Sequence, residues 1–338
     1  MRFLEPSLEK RLNDNYTVNK DVNLSKEISK LLIGNPDLPS DVTLRELDLL
    51  TRNVENTMTF GNYIPGVIET AFDYCVSGLG MVESHEDLFG RFHARARIFL
   101  RNLAEISETS DEQKRYLQAA LSHADEACRF YEKKDDIGYG KALSSRGEIK
   151  RFLAGIAEDE KRFEDAVDLL IESAADKSTS ASLVENIGKS YACRRYAFAA
   201  NREYEAALLS SKLKIDLISN AIYHTKKSIF LDTEEETIAS SQLNIGKYNM
   251  VLFELTDNLD FLGEAIHFYG LARSYFARFC DEKRRRVFCA VNTCLTDLKF
   301  KRRSIEKDNA PKKMRNKSIK KSRQEVRKII MNELEQLD

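Results

Sequence analysis

Phe92, Ala96, Phe99, Leu103 and Ile106 fall at steps of four and three, the spacing that gathers side chains onto one buried helix face. Leu117, Ala120, Leu121, Ala124 and Ala127 follow a capping box, Ser110-x-x-Gln113, and their small side chains let a neighbouring helix approach closely. The same pattern predicts helices on either side. Leu24 to Ile33 is closed by Gly34-Asn35-Pro36, and the box Thr43-Leu44-Arg45-Glu46 opens a helix to about Phe60. Gly61-Asn62 marks a turn; a helix from Pro65 runs to about Val76 and ends at Gly78-Leu79-Gly80. Ser84-His85-Glu86-Asp87 starts the helix that carries Phe92, and Asp135-Asp136 with Gly138 closes that pair. The next pair is Lys141 to about Leu153 and Phe163 to Ala174, split by Gly155. Later pairs open at Ser182-x-x-Glu185 and Thr233-x-x-Glu236, and a last helix, Glu282 to Phe300, sets Val287, Val291, Cys294, Leu295 and Leu298 at helical steps. Residues 1–22 are polar with little periodicity and read as an extended or partly ordered arm.

No proline stands between Pro65 and Pro311, and inside that window a glycine is followed at one fixed interval by an alanine: Gly147 by Ala166, and Gly246 by Ala265. This is the trace of antiparallel helix pairs that stack. Gly188 to Ala221 and Gly90 to Ala120 span longer intervals, and in both the excess is close to a whole number of helical turns, which preserves the buried face. The segment from Ser182 therefore reads as one long helix to about Leu213, folding back at Ile215-Asp216 into Leu217 to Leu231. A rival register uses Tyr204-Glu205-Ala206-Ala207, whose Ala207 stands at the original interval from Gly188; it is set aside because Arg194 to Asn201 holds no turn chemistry.

The glycine, the alanine at its fixed interval, and an aromatic or leucine one turn ahead of that alanine resemble the tetratricopeptide repeat. The residues that carry the resemblance are Gly147, Phe163 and Ala166; Gly188 and Tyr191, with Ala221; and Gly246, Leu262 and Ala265, over about residues 110–280. The resemblance implies an all-α, right-handed solenoid of antiparallel helix hairpins that acts as a scaffold, its first helices lining a concave groove for a partner peptide or helix. Carried over by offset from each glycine, the groove positions are Lys141, Glu148 and Arg151; Glu185 and Lys189; and Lys247 and Met250. The chain then divides into an arm with its packing helices (1–80), a repeat domain (81–300) and a basic linker with a terminal amphipathic helix (301–338).

The composition, 42% hydrophobic and 32% charged with no Trp, suits a soluble helical chain. No stretch is long and apolar enough to span a bilayer, and Met1-Arg2-Phe3-Leu4-Glu5-Pro6 lacks a signal-peptide core, so a cytoplasmic location is expected. Six cysteines without a C-x-x-C favour reduced, packed thiols over disulfides or zinc, and no cofactor is implied. Gly188-Lys189-Ser190 imitates the end of a phosphate-binding loop, but Leu183 stands where its first glycine belongs. His93, His123, His224 and His267 have no second histidine at ligand spacing, and Glu234-Glu235-Glu236 answers a helix dipole. An enzyme would have to hide in the N-terminal third of the chain, without a recognised motif.

The net charge of −1 is split along the chain: residues 299–338 carry +8 and residues 1–298 carry −9. Lys283, Arg284, Arg285 and Arg286 join Arg302, Arg303, Lys312 and Lys313 as one candidate basic end, and Ile319, Val326, Ile330, Leu334 and Leu337 restore helical spacing beyond it. Two readings stay open: a non-enzymatic scaffold that binds a protein partner, or a nucleic-acid-associated adaptor that holds phosphates at this end. Self-association stays open as well.

Overall fold

The computed structural model describes residues 10–12, 28–33, 42–58, 64–83, 86–279 and 281–307. Among these residues the chain is all helical, without a strand. The longer helices are α1 (Leu44–Met58), α2 (Pro65–Met81), α3 (Asp87–Ile106), α4 (Ser110–Tyr131), α5 (Asp136–Asp159), α6 (Phe163–Val184), α7 (Lys189–Leu209), α8 (Lys214–Leu231), α9 (Glu235–Thr256), α10 (Leu259–Phe276) and α11 (Glu282–Lys307). The chain forms two compact units, Met1–Leu183 and Val184–Asp338; within each, contacts run mainly between helices adjacent in the chain, and in the first α1 also touches α3. From α3 onward the first helices of successive hairpins begin at Asp87, Asp136, Lys189, Glu235 and Glu282. The stop at Gly34-Asn35-Pro36, the turn at Gly61-Asn62, Lys312, Lys313 and the amphipathic segment 318–337 lie outside the described residues.

In the first unit, local chemistry sets where helices begin. Thr43 and Glu46 form the expected capping box: Glu46 N donates to Thr43 Oγ1 (3.3 Å) and Thr43 N donates to Glu46 Oε2 (2.9 Å). Pro65 opens α2 at a position where its missing N–H costs nothing. The cap of α4 is Thr109 rather than Ser110, accepting from Glu112 N at 3.3 Å. Asp135 does not close a pair; its carboxylate accepts from Ile137 N and Gly138 N and starts α5. The core joins Leu47, Leu50, Val67, Ile68, Tyr74, Phe92, Ala96 and Phe99, so the periodic face of α3 is buried as its spacing predicts; Ile106, at its end, is exposed.

Several glycines lie within helices where the sequence suggests breaks. Helix α2 continues through Gly78 to Met81, because a methyl on Gly78 would stand 2.6 Å from the ring of Phe92 and the missing side chain seats that ring. Gly90 opens the same kind of space for Phe130, so its partner on α4 is that ring and not Ala120. Helix α5 likewise runs through Gly155.

Helices α5 and α6 are antiparallel and close. Ser173 Oγ donates to Gly147 O at 2.6 Å, Ser180 Oγ donates to Gly140 O, and a methyl on Gly147 would meet Ser173 O at 3.0 Å. Gly147 is thus a crossing glycine, but it crosses at Ser173; Ala166 is fully buried one helical stretch away. Phe163, in the first turn of α6, is 47% exposed and so is not the core residue inferred for it.

In the second unit the expected long helix from Ser182 is absent. Ser182 belongs to the last turn of α6, residues 185–187 form a turn, and Gly188 is the extended N-cap residue of α7. Gly188 is therefore no crossing glycine, and Tyr191 is 68% exposed. Ala221 keeps its place, fully buried on α8. Helix α9 is buried on nearly every side, through Leu243, Ile245, Tyr248, Met250, Leu252 and Phe253, as befits a helix covered on more than one face. Gly246 gives way to the ring of Tyr269, 2.9 Å from where a Cβ would be, and Leu262 and Ala265 are fully buried beside it. The Thr233 box does not form; Asp232 Oδ1 accepts from Glu234 N instead. Helix α11 covers this core with Val287, Val291, Cys294, Leu295 and Leu298, then runs past Phe300 to Lys307.

Candidate functional site

Once α7 is seen to begin at Lys189, its equivalent of Gly147 and Gly246 is Ala200: all three stand equally far from the first residue of their helix. Alanine there keeps α7 slim, and Ala199 and Ala200 are both buried. The outward positions of α7 then become Arg194 and Asn201, in place of Glu185 and Lys189. Glu185 sits in the preceding turn and accepts from Tyr196 OH at 3.4 Å, while Lys189 is exposed in the first turn of α7.

On α5 of the first unit, Lys141, Glu148 and Arg151 do share one solvent-reaching line. Behind it lies a charge network. Arg146 donates to Asp176 through Nε (2.9 Å) and Nη2 (2.6 Å) and to Asp125 through Nη1 (3.1 Å). Lys150 Nζ stands 3.1 Å from Asp176 and 2.9 Å from Glu172, and Lys177 Nζ 3.4 Å from Glu148. These bonds raise the Arg146 pKa, chiefly through hydrogen bonding to Asp176. Glu148 and Lys150 are therefore occupied in holding α5 to α6.

In the second unit α7 and α9 meet along an aromatic seam. The rings of Tyr204 and Tyr248 lie 4.7 Å apart, Tyr248 OH reaches Asn201 Oδ1 at 3.5 Å, and Lys247 Nζ stands 4.8 Å over the Tyr204 ring. Lys247 is half-buried and engaged with this seam. Met250, expected beside it on the outward face, is instead buried in the core with Leu262 and Tyr269. Sequence reasoning missed the rest of this face. Tyr191, Arg194, Phe198, Asn201 and Leu208 are all exposed on α7, at steps of three, four, three and seven along one helix line.

Among the described residues the candidate basic end does not gather into one site. Along α11, Arg284 and Arg302 are separated by about 27 Å at 1.5 Å per residue. Arg284 is held by Glu236 (2.6 Å) and Asp281 (3.1 Å), and Arg286 pairs with Glu282. Lys283, Arg285 and Arg303 are exposed, and Arg302 Nη1 lies close to Gly263.

Two histidine contacts join residues too distant in sequence for spacing to show them. His224 Nδ1 lies 2.7 Å from Glu203 Oε2, whose pKa burial raises against the pull of His224. His93 and His123 share one hydrogen bond between their Nδ1 atoms (2.9 Å), with Phe72 and Phe89 against the rings. Burial, with His123 beside it, depresses His93 from 6.5 to about 4. The unfolded state therefore binds more protons between these values. Stability from the neutral buried pair is complete above about pH 6.5 and is lost as pH falls toward 4; at pH 5 the loss is roughly 2 kcal/mol. Melting of the wild type at pH 7 and pH 5 should show this drop. His93→Asn, which keeps a hydrogen-bonding group without a proton to gain, should shrink it by at least half; an unchanged drop would refute the assignment.

Among the described residues no three His, Cys, Asp or Glu side chains gather as metal ligands, and no helix is long and apolar enough to cross a membrane. Cys75, Cys128, Cys193 and Cys294 are buried thiols outside any disulfide, Cys289 is exposed, and Cys280 lies outside the described residues. Burial pushes Cys128 and Cys193 up to about 11, which keeps both as unreactive thiols near neutral pH.

The fold and faces define an all-α protein of antiparallel helix hairpins packed in chain order. No family model matches the chain, and no curated protein matches it.

Proposed function

We propose that this protein is a non-enzymatic, tetratricopeptide-like scaffold that holds a helix or extended segment of a partner protein against the first-helix faces of its hairpins. One observation carries the reading: the exposed line of α7 bears Tyr191, Phe198 and Leu208, interleaved with Arg194 and Asn201. A helix face that only meets water is usually charged, whereas interface anchors are enriched in Tyr, Phe and Arg. The seam of Tyr204, Tyr248 and Lys247 beside it supplies a packed, partly cationic floor. An amphipathic partner helix with acidic flanks is the ligand class that matches.

Partners co-purified with the full chain and quantified by mass spectrometry test this. Phe198→Asp should reduce recovery of the specific partner at least tenfold, with helix content by circular dichroism unchanged, and Lys247→Glu should weaken it less. Recovery unaffected by Phe198→Asp would remove the α7 face from the proposal.

The second reading, an adaptor on nucleic acid, is favoured by the +8 charge of residues 299–338 and weakened by the pairing of Arg284 and Arg286 with acids. It requires salt-sensitive binding that is lost when residues 299–338 are deleted.

A further inference from the structure

Helix α8 buries one side and leaves the opposite side unusually apolar. Leu217, Ile218, Ala221, Thr225, Ser228 and Leu231 face the unit. The outer line runs Ile215, Ser219, Tyr223, Lys226 and Phe230, at steps of four, four, three and four along the whole helix. Phe230 is 83% exposed, Tyr223 57% and Ile215 46%. Lone exposed apolar residues need no explanation, but three on one line of one helix form a patch.

The spacing of this line identifies its occupant. It is symmetric about a point between Ile222 and Tyr223: Ile215 and Phe230 lie equally far from that point, as do Ser219 and Lys226. A two-fold axis there would set two α8 helices antiparallel, each Ile215 against the other copy's Phe230, with Tyr223 on the axis. In such an isologous interface every contact is made twice. The charges agree. Lys212 and Lys214 precede and open α8, while Asp232 and Glu234 follow it, so the antiparallel arrangement brings unlike charges together at both ends; a parallel one would bring like charges together. Asp216 also comes within about one helical turn of the second copy's Lys226.

From this juxtaposition we infer that the outer face of α8 is a self-association surface, on which a second copy of the chain docks its own α8 antiparallel about Tyr223. The face lies on the second helix of its hairpin and is separate from the first-helix line proposed for a partner protein. A helix of 18 residues is about 27 Å long, so one such pair gives an interface at the small end of the specific range and a dissociation constant in the micromolar range.

Sedimentation velocity of the full chain between about 1 and 100 µM should show a monomer–dimer equilibrium. Phe230→Glu should weaken it at least tenfold without loss of helix content, since that side chain has almost no intramolecular burial. The register is tested by oxidative cross-linking in a Cys280→Ser, Cys289→Ser background, which removes the exposed thiol among the described residues and the one cysteine outside them. Tyr223→Cys, at the axis, should give a covalent dimer, and Ile215→Cys, far from its symmetry mate, should not. A chain monomeric throughout, a dimer indifferent to Phe230→Glu, or cross-linking through Ile215→Cys but not Tyr223→Cys would each overturn the inference. A monomer whose Phe230→Glu variant loses a different protein would assign the face to that protein and overturn it too.

Discussion

Asp176→Ala should destabilise the first unit by about 3 kcal/mol, lowering its melting temperature by roughly 6–12 °C for a unit of this size. Asp176 is nearly inaccessible, and its carboxylate is the shared acceptor for Arg146 on both oxygens and for Lys150 at 3.1 Å. Removal leaves two cations at the α5–α6 contact with only Asp125 and Glu172 as counter-charges, both more exposed. The penalty comes mainly from the stranded charges, not from the intrinsic worth of the pairs, because desolvating an ion pair offsets most of its attraction. Asp125→Ala is the control. It removes a more exposed partner of the same Arg146 and should cost less than about 1 kcal/mol. Urea unfolding followed by far-ultraviolet circular dichroism measures both; similar losses for the two variants would show that the network is not organised around Asp176.

The network also shows how far the sequence could be read. Arg146, Lys150, Asp176 and Lys177 look like ordinary polar positions of two amphipathic helices, and only the close crossing at Gly147 turns them inward. Helix identity and most of the buried faces were legible because three-and-four spacing and caps such as Thr43 with Glu46 are local. Glycine was the ambiguous symbol. Gly78 and Gly155 read as breaks yet lie inside helices: the Phe92 ring packs onto Gly78, and around the exposed Gly155 the buried Leu153, Ala154, Ile156 and Ala157 hold the helix, which outweighs an intrinsic preference of only about 1 kcal/mol. Gly188 read as a crossing glycine yet begins a helix, and that single assignment displaced the outward positions of α7 by several residues. Its neighbours Tyr191 and Phe198 could not be found as surface residues from their type alone, since an aromatic in a helical pattern reads as core.

The same ambiguity makes α5 a test within one helix. Gly147→Val should destabilise by about 2–4 kcal/mol, whereas Gly155→Ala should stabilise by about 0.5–1 kcal/mol. At Gly147 a Cβ would lie 3.0 Å from Ser173 O and 3.2 Å from the Asp176 Cβ. The first of these is backbone of α6, also tied to Gly147 through Ser173 Oγ, so the helices must part for a side chain to enter. The helix-propensity gain of a larger residue is smaller than that cost. At Gly155 nothing lies within 4 Å of the position, the residue is exposed, and the only effect of a methyl is to narrow the conformational freedom of the unfolded chain. Opposite signs in matched denaturant titrations are the expected result. If both substitutions proved neutral, α5 and α6 would have slack at their crossing, and glycine there would reflect no steric demand; Gly147→Ala, with an intermediate loss of about 1–2 kcal/mol, grades the effect between the extremes.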